Sequence, residues 1–565
     1  MKFSFTIFFT ALISCLLNAQ YQPKNLTKDE QKNAEKWVEK TYNQLSQDEK
    51  LGQLFIVALY TNKSEDHINE VRNIVTKEKI GGLILMQDDA AREINLVNEF
   101  QSQAKVPLMI GMDAEWGVFQ RIAAAHKFPW AITLGAIQDK KLIEQMAEKI
   151  AEDCKRMGIN WDFAPVVDVN TNPNNPIIGN RSFGSDVPNV IASGLAYSSG
   201  LQNSQVLAAI KHFPGHGDTD TDSHLDLPVV SHNISRLNET ELAPFKALMD
   251  KGIGGVMVAH LYVPALESGK GIPASVSKNI VTDLLKNKLG YKGLIITDAL
   301  NMGAVANKYK PGELDALAFK AGNDIMLFSQ GVSEGKKLIQ KAIDNGEISQ
   351  KRVEESVKKI LLTKYYLGLD KYEPRNPENI KEDLNNDSHK KIVQNLYSNA
   401  LTLLKDEQKL LPLNCKETYY YVPLEEGNYQ PFLDQLNLNT TVIIRKSNEI
   451  GSIPNNSKVI VGFHKDNSTA YKPYKISDES KKILAELNKN QNVILNVFGS
   501  PYALKDVDIS KTSTVLVSYE NNDDSMTATA KAMNGQTKIH GRLPVLVNEN
   551  LKFGMGMDME KNDGK

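Results

Sequence analysis

From Ser46 onward the apolar residues alternate between two patterns, and this alternation limits the fold more than any other feature of the chain. Short, largely apolar runs recur at 82–86, 107–112, 160–167, 206–212, 254–259, 293–297 and 324–328. Strands buried on both faces produce such runs, whereas half-exposed strands alternate polar with apolar. Between them lie longer stretches of helical period, at 142–157, 279–289 and 314–320. Ser46 and Glu49 form a capping-box pair ahead of a further apolar segment around 55–57, which brings the runs to eight. Continuous apolar strands separated by helices indicate a parallel sheet covered on both sides. Eight such units predict an α/β fold of the TIM type, a (β/α)8 barrel. An open doubly wound sheet satisfies the same alternation.

Two more helical stretches, 332–344 and 351–367, complete a barrel domain expected to span 25–369. The polar segment 370–387, broken by Pro374 and Pro377, is expected to be a linker. The alternation then restarts. A helix is expected at 388–404, runs at 419–422, 441–444, 458–462, 493–497 and 514–518, and helices at 479–487 and 525–533. These predict a smaller α/β/α sandwich domain over 388–565.

The N-terminus has its own pattern. Lys2 precedes an apolar stretch over 3–17 that ends at Leu17-Asn18-Ala19-Gln20, the arrangement of a secretory signal cleaved near Ala19. A signal over 1–19 implies a periplasmic or extracellular protein. A buried N-terminal strand is one alternative. Lipoprotein processing at Leu12-Ile13-Ser14-Cys15 is another, and it would place the protein on a membrane through Cys15. The formal charge of −2 and the absence of a long basic run give no reason to expect a nucleic-acid partner. Without Cys15 only Cys154 and Cys415 remain, too few for a disulfide framework, and both are expected to be small buried apolar residues.

Unusual polar residues concentrate in the segment Lys211-His212-Phe213-Pro214-Gly215-His216-Gly217-Asp218-Thr219-Asp220-Thr221-Asp222-Ser223-His224. It begins at the C-terminal end of the fifth run, the end where a barrel carries its chemistry. Three readings fit it. Its histidines and aspartates are metal-ligand types, although His212 and His216 on a Pro-Gly loop do not share a helical face. It could also be a polar loop with incidental histidines. In the third reading Asp222 and His224, two residues apart, form a dyad in which the carboxylate orients the imidazole and supports its proton transfer. A second feature is the apolar run 293–297 ending in Asp298, either a nucleophile or base at a strand mouth or the cap of the next helix. Other runs end in Asp113 (with Glu115) and Asp168, and Arg181 lies in a Gly-Asn-Arg-Ser-Phe-Gly loop. Carboxylates and an arginine at successive strand ends suit a polar sugar.

The motifs KHFPGHGDTDTDSH (211–224), IITDALNM (295–302), NRSFGSD (180–186) and DAEWGVFQR (113–121) together resemble glycoside hydrolase family 3, in its β-N-acetylglucosaminidase branch. The resemblance implies that Asp298 is the nucleophile of a retaining mechanism and that His224, assisted by Asp222, is the acid/base. It implies sugar-holding roles for Asp113, Arg181, Lys211 and His212, a carbohydrate substrate such as cell-wall or chitin fragments, and no cofactor or metal. The β-glucosidases of the family lack this loop histidine and take their acid/base from the second domain, which leaves that domain here without a catalytic duty. One position departs from the branch: where many members read Asp-x-Glu-Gly-Gly, Trp116 follows Glu115. A β-glucosidase or β-xylosidase of the same family, a non-catalytic sugar-binding protein and a metal-dependent hydrolase remain as alternatives.

Overall fold

The computed structural model describes residues 22–23, 26–87, 89–220 and 227–562. The expected signal segment with Cys15, and the pair Asp222 and His224, lie outside the described residues. By contacts the chain divides into two compact units, one of residues 1–127, 147–168 and 194–386, the other of 128–146, 169–193 and 387–565.

The first unit carries eight strands: β1 (Phe55–Leu59), β2 (Gly82–Leu85), β3 (Met109–Met112), β4 (Trp161–Asp162), β5 (Leu207–Phe213), β6 (Gly255–Val258), β7 (Leu294–Thr297) and β8 (Met326–Leu327). They run in the order β7-β6-β5-β4-β3-β2-β1-β8, each neighbouring pair parallel. An open sheet would leave β7 and β8 as edges. Instead the Thr297 amide donates to the Ile325 carbonyl at 3.1 Å and the Leu300 amide to Leu327 at 3.0 Å, bringing the two together. The sheet is a nearly closed TIM-type barrel.

Large side chains fill its interior. Trp161 and Phe163 pack edge to face with centroids 5.1 Å apart. A Cβ on Gly111 would come within 2.4 Å of the Phe163 ring, so glycine in β3 is what lets that ring enter. Full burial of each such ring contributes roughly 1.5–3 kcal/mol. The eight-residue run at 160–167 yields only two residues of regular strand, because Pro165 has no N–H to offer the ladder. The chain still follows β5 beyond that point, the Val167 amide donating to the Lys211 carbonyl at 2.8 Å.

The segment expected as a linker is docked on the barrel unit. The Tyr372 hydroxyl and the Arg375 amide both donate to Asn98 Oδ1, at 2.7 and 2.9 Å, and the Asn98 amide returns a bond to the Arg375 carbonyl at 2.7 Å. Arg156 pairs with Asp383 at 2.9 Å. Residues 370–386 are thus a strap held at several points.

The second unit contains β9 (Thr402–Asp406), β10 (Thr418–Leu424), β11 (Thr441–Ile444), β12 (Lys458–His464), β13 (Asn492–Phe498) and β14 (Thr514–Val517) in the order β11-β10-β12-β13-β14-β9. All pairs are parallel except β14 with β9. Helices Asp387–Ala400, Gln430–Asn437, Asp478–Asn490 and Asp523–Met533 accompany this sheet, and Tyr419, Tyr421, Phe432 and Phe498 lie in its core. The helix expected at 388–404 stops at Ala400, and its last residues belong instead to the antiparallel strand β9, for which the sequence pattern gave no separate signal. Cys154 is buried as expected, whereas Cys415 lies in an exposed turn; neither is in a disulfide. Among the described residues no helix is long and apolar enough to cross a membrane.

Candidate active site

The C-terminal ends of the barrel strands converge on a set of buried charges. Lys211, on β5 and only 2% exposed, places its ammonium 2.8 Å from Asp113 and 2.9 Å from Glu115, both just beyond β3. Arg121 reaches the other oxygen of Asp113 at 2.6 Å. Burial alone would raise the Asp113 carboxyl, but Lys211 and Arg121 outweigh it and hold Asp113 well below the usual carboxylate range. The backbone of this segment is fixed from behind. Asp162 accepts from the Ala114 amide at 3.0 Å, and the Tyr197 hydroxyl lies 3.0 Å from the Ala114 carbonyl and 3.2 Å from that of Glu115. Burial pushes Asp162 up to about 8, so it carries a proton near neutrality and adds no further negative charge beside Asp113 and Glu115.

His212, next to Lys211, is held by Asp168. One carboxylate oxygen lies 2.7 Å from His212 Nδ1, and both lie 3.2 Å from its amide. The His216 amide donates to the same carboxylate at 2.7 Å. Asp168 is buried, which raises its carboxyl, but His212 and His216 outweigh burial and hold it low. A carboxylate on Nδ1 fixes both the ring plane and the tautomer. The turn beyond β5 depends on Gly215: at φ +129 any Cβ there would meet Glu241 Cβ at 2.7 Å.

Asp298 stands directly after β7 and is partly exposed. It accepts from the Ala299 amide at 2.8 Å. Burial works to raise its carboxyl, but His212, His260, the Ala299 amide and Lys211 prevail, and Asp298 stays below the ordinary aspartate value. His260, beyond β6, accepts from the Ser275 hydroxyl at Nδ1 (2.7 Å) and donates from Nε2 to the Ala299 carbonyl (3.1 Å). Burial lowers the His260 pKa and so favours the neutral ring, in which Nδ1 accepts and Nε2 donates. His260 therefore clamps the backbone that follows Asp298.

The structure thus brings Asp113, Lys211, His212 and Asp298 to one end of the barrel, with Glu115 and Asp168 as their partners. Arg181 is buried on a short helical turn, Gly179–Arg181, and belongs by contacts to the other unit. Trp116 is partly exposed. His260 and Asp162 were not singled out from the sequence. Each had a signal: His260 follows the sixth apolar run directly, and Asp162 is a carboxylate inside the fourth.

Of the loop histidines, His212 is engaged at Nδ1 by Asp168, and His216 Nδ1 lies 2.7 Å from the Thr219 hydroxyl. Among the described residues one group has ligand atoms close enough to share an ion, namely Asp218, His232 and Glu241. A cation is already there: the Arg236 guanidinium lies 3.2 Å from Glu241 and 3.9 Å from Asp218.

Residues 46–363, more than half of the chain, match the model of the glycosyl hydrolase family 3 N-terminal domain. The chain belongs to glycoside hydrolase family 3. This glycosidase is 30% identical over 552 residues to a protein named β-hexosaminidase A from Pseudoalteromonas piscicida, covering 85% of this chain and 91% of that one. It is also 30% identical over 391 residues to a β-N-acetylglucosaminidase/β-glucosidase from Cellulomonas fimi, covering 68% of each. Among solved structures, a family 3 β-N-acetylglucosaminidase from Paenibacillus sp. str. FPU-7 superposes with a TM-score of 0.75 at 29% identity, covering 89% of this chain and 99% of that one.

Proposed function

We propose that this glycosidase is a retaining exo-enzyme that removes terminal β-linked N-acetylglucosamine from cell-wall or chitin fragments. The observation that carries this reading is Asp298, a carboxylate kept ionised at the mouth of β7 among His212, His260 and Lys211. An ionised, oriented carboxylate can attack an anomeric carbon and form a covalent glycosyl-enzyme. Asp113 and Lys211, with His212 held by Asp168, offer charged hydrogen-bond partners for sugar hydroxyls. His224, paired with Asp222, protonates the leaving oxygen and then activates the acceptor. That assignment rests on the sequence motif 211–224. The names of the Pseudoalteromonas, Cellulomonas and Paenibacillus relatives support the aminosugar. The apolar N-terminal segment supports export.

A panel of chromogenic β-glycosides tests the substrate. N-acetylglucosaminide should be cleaved in preference to glucoside and xyloside, with and without added phosphate. The Cellulomonas relative's double name makes β-glucosidase the second reading, and a preference for glucoside would establish it. A mechanism-based fluorosugar should label a peptide containing Asp298, and Asp298→Ala should abolish turnover while the protein stays folded. Labelling of a different carboxylate would refute the mechanism.

A further inference from the structure

We propose that Asp218 and His232 are positioning residues, a brace between the two ends of the segment that carries Asp222 and His224. The inference rests on the acid/base reading of His224 above and adds to it the residues that hold that group in place. Position is the first argument. His232 Nε2 lies 2.5 Å from Asp218 Oδ2, across fourteen residues of chain. Asp218 precedes Asp222 and His224 in the sequence and His232 follows them, so the bond joins the incoming and returning ends of their segment.

The second argument is how each end is anchored. On the incoming side the His216 amide donates to Asp168 at 2.7 Å, and His216 Nδ1 lies 2.7 Å from the Thr219 hydroxyl. On the returning side the Val230 amide donates to the Tyr262 carbonyl and the Tyr262 amide to the Pro228 carbonyl, both at 2.9 Å. Those bonds tie each end separately to the mouth of the barrel. The Asp218–His232 bond fixes one end against the other. Arg236 and Glu241 complete the circuit. The Asn233 side chain accepts the Arg236 amide at 3.0 Å, and the Arg236 guanidinium lies 3.2 Å from Glu241 and 3.9 Å from Asp218. Glu241 is buried and packs against Gly215, at the start of the same turn.

The third argument is energetic. The side chains of Asp218 and His232 are 25% and 34% exposed, and a carboxylate–imidazole contact so open to water adds little to stability. A duty in holding the fold therefore explains the pair poorly. A duty in geometry explains it well. A catalytic group displaced by about 1 Å loses about a hundredfold in rate, and a proton-transfer group on a loop depends on neighbours outside the loop for its placement.

The test compares wild type with His232→Ala, His232→Gln, His224→Ala and the double variant His224→Ala/His232→Ala. Glutamine keeps an N–H donor near the position of Nε2. Three quantities are read: kcat/KM on N,N′-diacetylchitobiose (cellobiose if glucosides are preferred), the rate at which a fluorosugar with a dinitrophenyl leaving group labels Asp298, and turnover of the matching dinitrophenyl glycoside with and without azide. His232→Ala should lose about tenfold on the disaccharide, label Asp298 within about twofold of wild type, and regain aryl glycoside turnover with azide. His232→Gln should stay within about threefold of wild type on the disaccharide, and in the His224→Ala background His232→Ala should add less than about twofold. An equal loss in labelling and disaccharide cleavage, an additive loss in the double variant, or wild-type disaccharide kinetics in His232→Ala would overturn the positioning role. If His224→Ala itself shows neither a selective loss on the disaccharide nor azide rescue, the acid/base reading fails and the brace fails with it. A clear His224→Ala signature beside an unaffected His232→Ala refutes the brace alone.

Discussion

Replacing Lys211 by methionine keeps most of the side-chain volume and removes one buried ammonium. That ammonium lies within 2.9 Å of two carboxylates. Removing one partner of a buried ion pair costs about 3–5 kcal/mol, because the opposite charge stays behind unpaired. Arg121 remains 2.6 Å from Asp113 in the variant, and Glu115, whose side chain is only 7% exposed, loses one partner. The expected loss is therefore at the lower end, about 3 kcal/mol near neutral pH. For a unit of this size that is about 2 °C per kcal/mol, or roughly 6 °C in the barrel's melting temperature. The pH dependence has a definite sign. Asp113 is held below its unfolded value, so its contribution is present above that value and is lost as pH falls through the folded one. Without Lys211 that contribution shrinks, and wild type and variant converge in acid. Calorimetry at about pH 7 and about pH 3, with Glu115→Gln made alone and in combination, completes a double-mutant cycle. A coupling of about 1–3 kcal/mol is expected between Lys211 and Glu115. Additive effects, or a variant as stable as wild type, would refute the reasoning.

Three further outcomes follow from the site. Because Asp298 is held below 3.8, the rate of its labelling by a fluorosugar with a dinitrophenyl leaving group should be flat down to about pH 4.5; a fall with a midpoint of about 5–6 would show a carboxyl that is not held low. His224→Ala should cost about 10²–10⁴-fold on natural disaccharides and much less in forming the glycosyl-enzyme from activated aryl glycosides, with azide restoring turnover as a β-configured azide; equal losses without rescue would leave His224 no proton-transfer role. Activity should survive exhaustive EDTA dialysis, and loss of activity restored by zinc would favour a metallohydrolase.

The barrel was legible because parallel strands buried on both faces are largely apolar runs, and all eight runs contain a strand. What the sequence left open depended on partners distant along the chain. Thr402-Leu403-Leu404 continues a helical pattern on paper; pairing with β14 makes it strand. Pro374 and Pro377 signal irregular structure but not that Asn98 binds the segment. Asp113, Lys211, His212 and Asp298 stood out as polar residues closing apolar runs. His260 did not, since its role comes from the Ala299 carbonyl and the Ser275 hydroxyl, far from it in sequence. Asp162 likewise acquires its meaning from the Ala114 amide and from enclosure in the barrel.

The division of the chain into two units also bears on inheritance. A domain added by simple gene fusion is joined to its neighbour at one point. Here the chain passes between units after residues 127, 146, 168, 193 and 386. A single crossover, wherever it falls, therefore never exchanges one whole unit by itself. A change that kept the second unit intact would have to carry the short stretches 128–146 and 169–193 together with everything after 386.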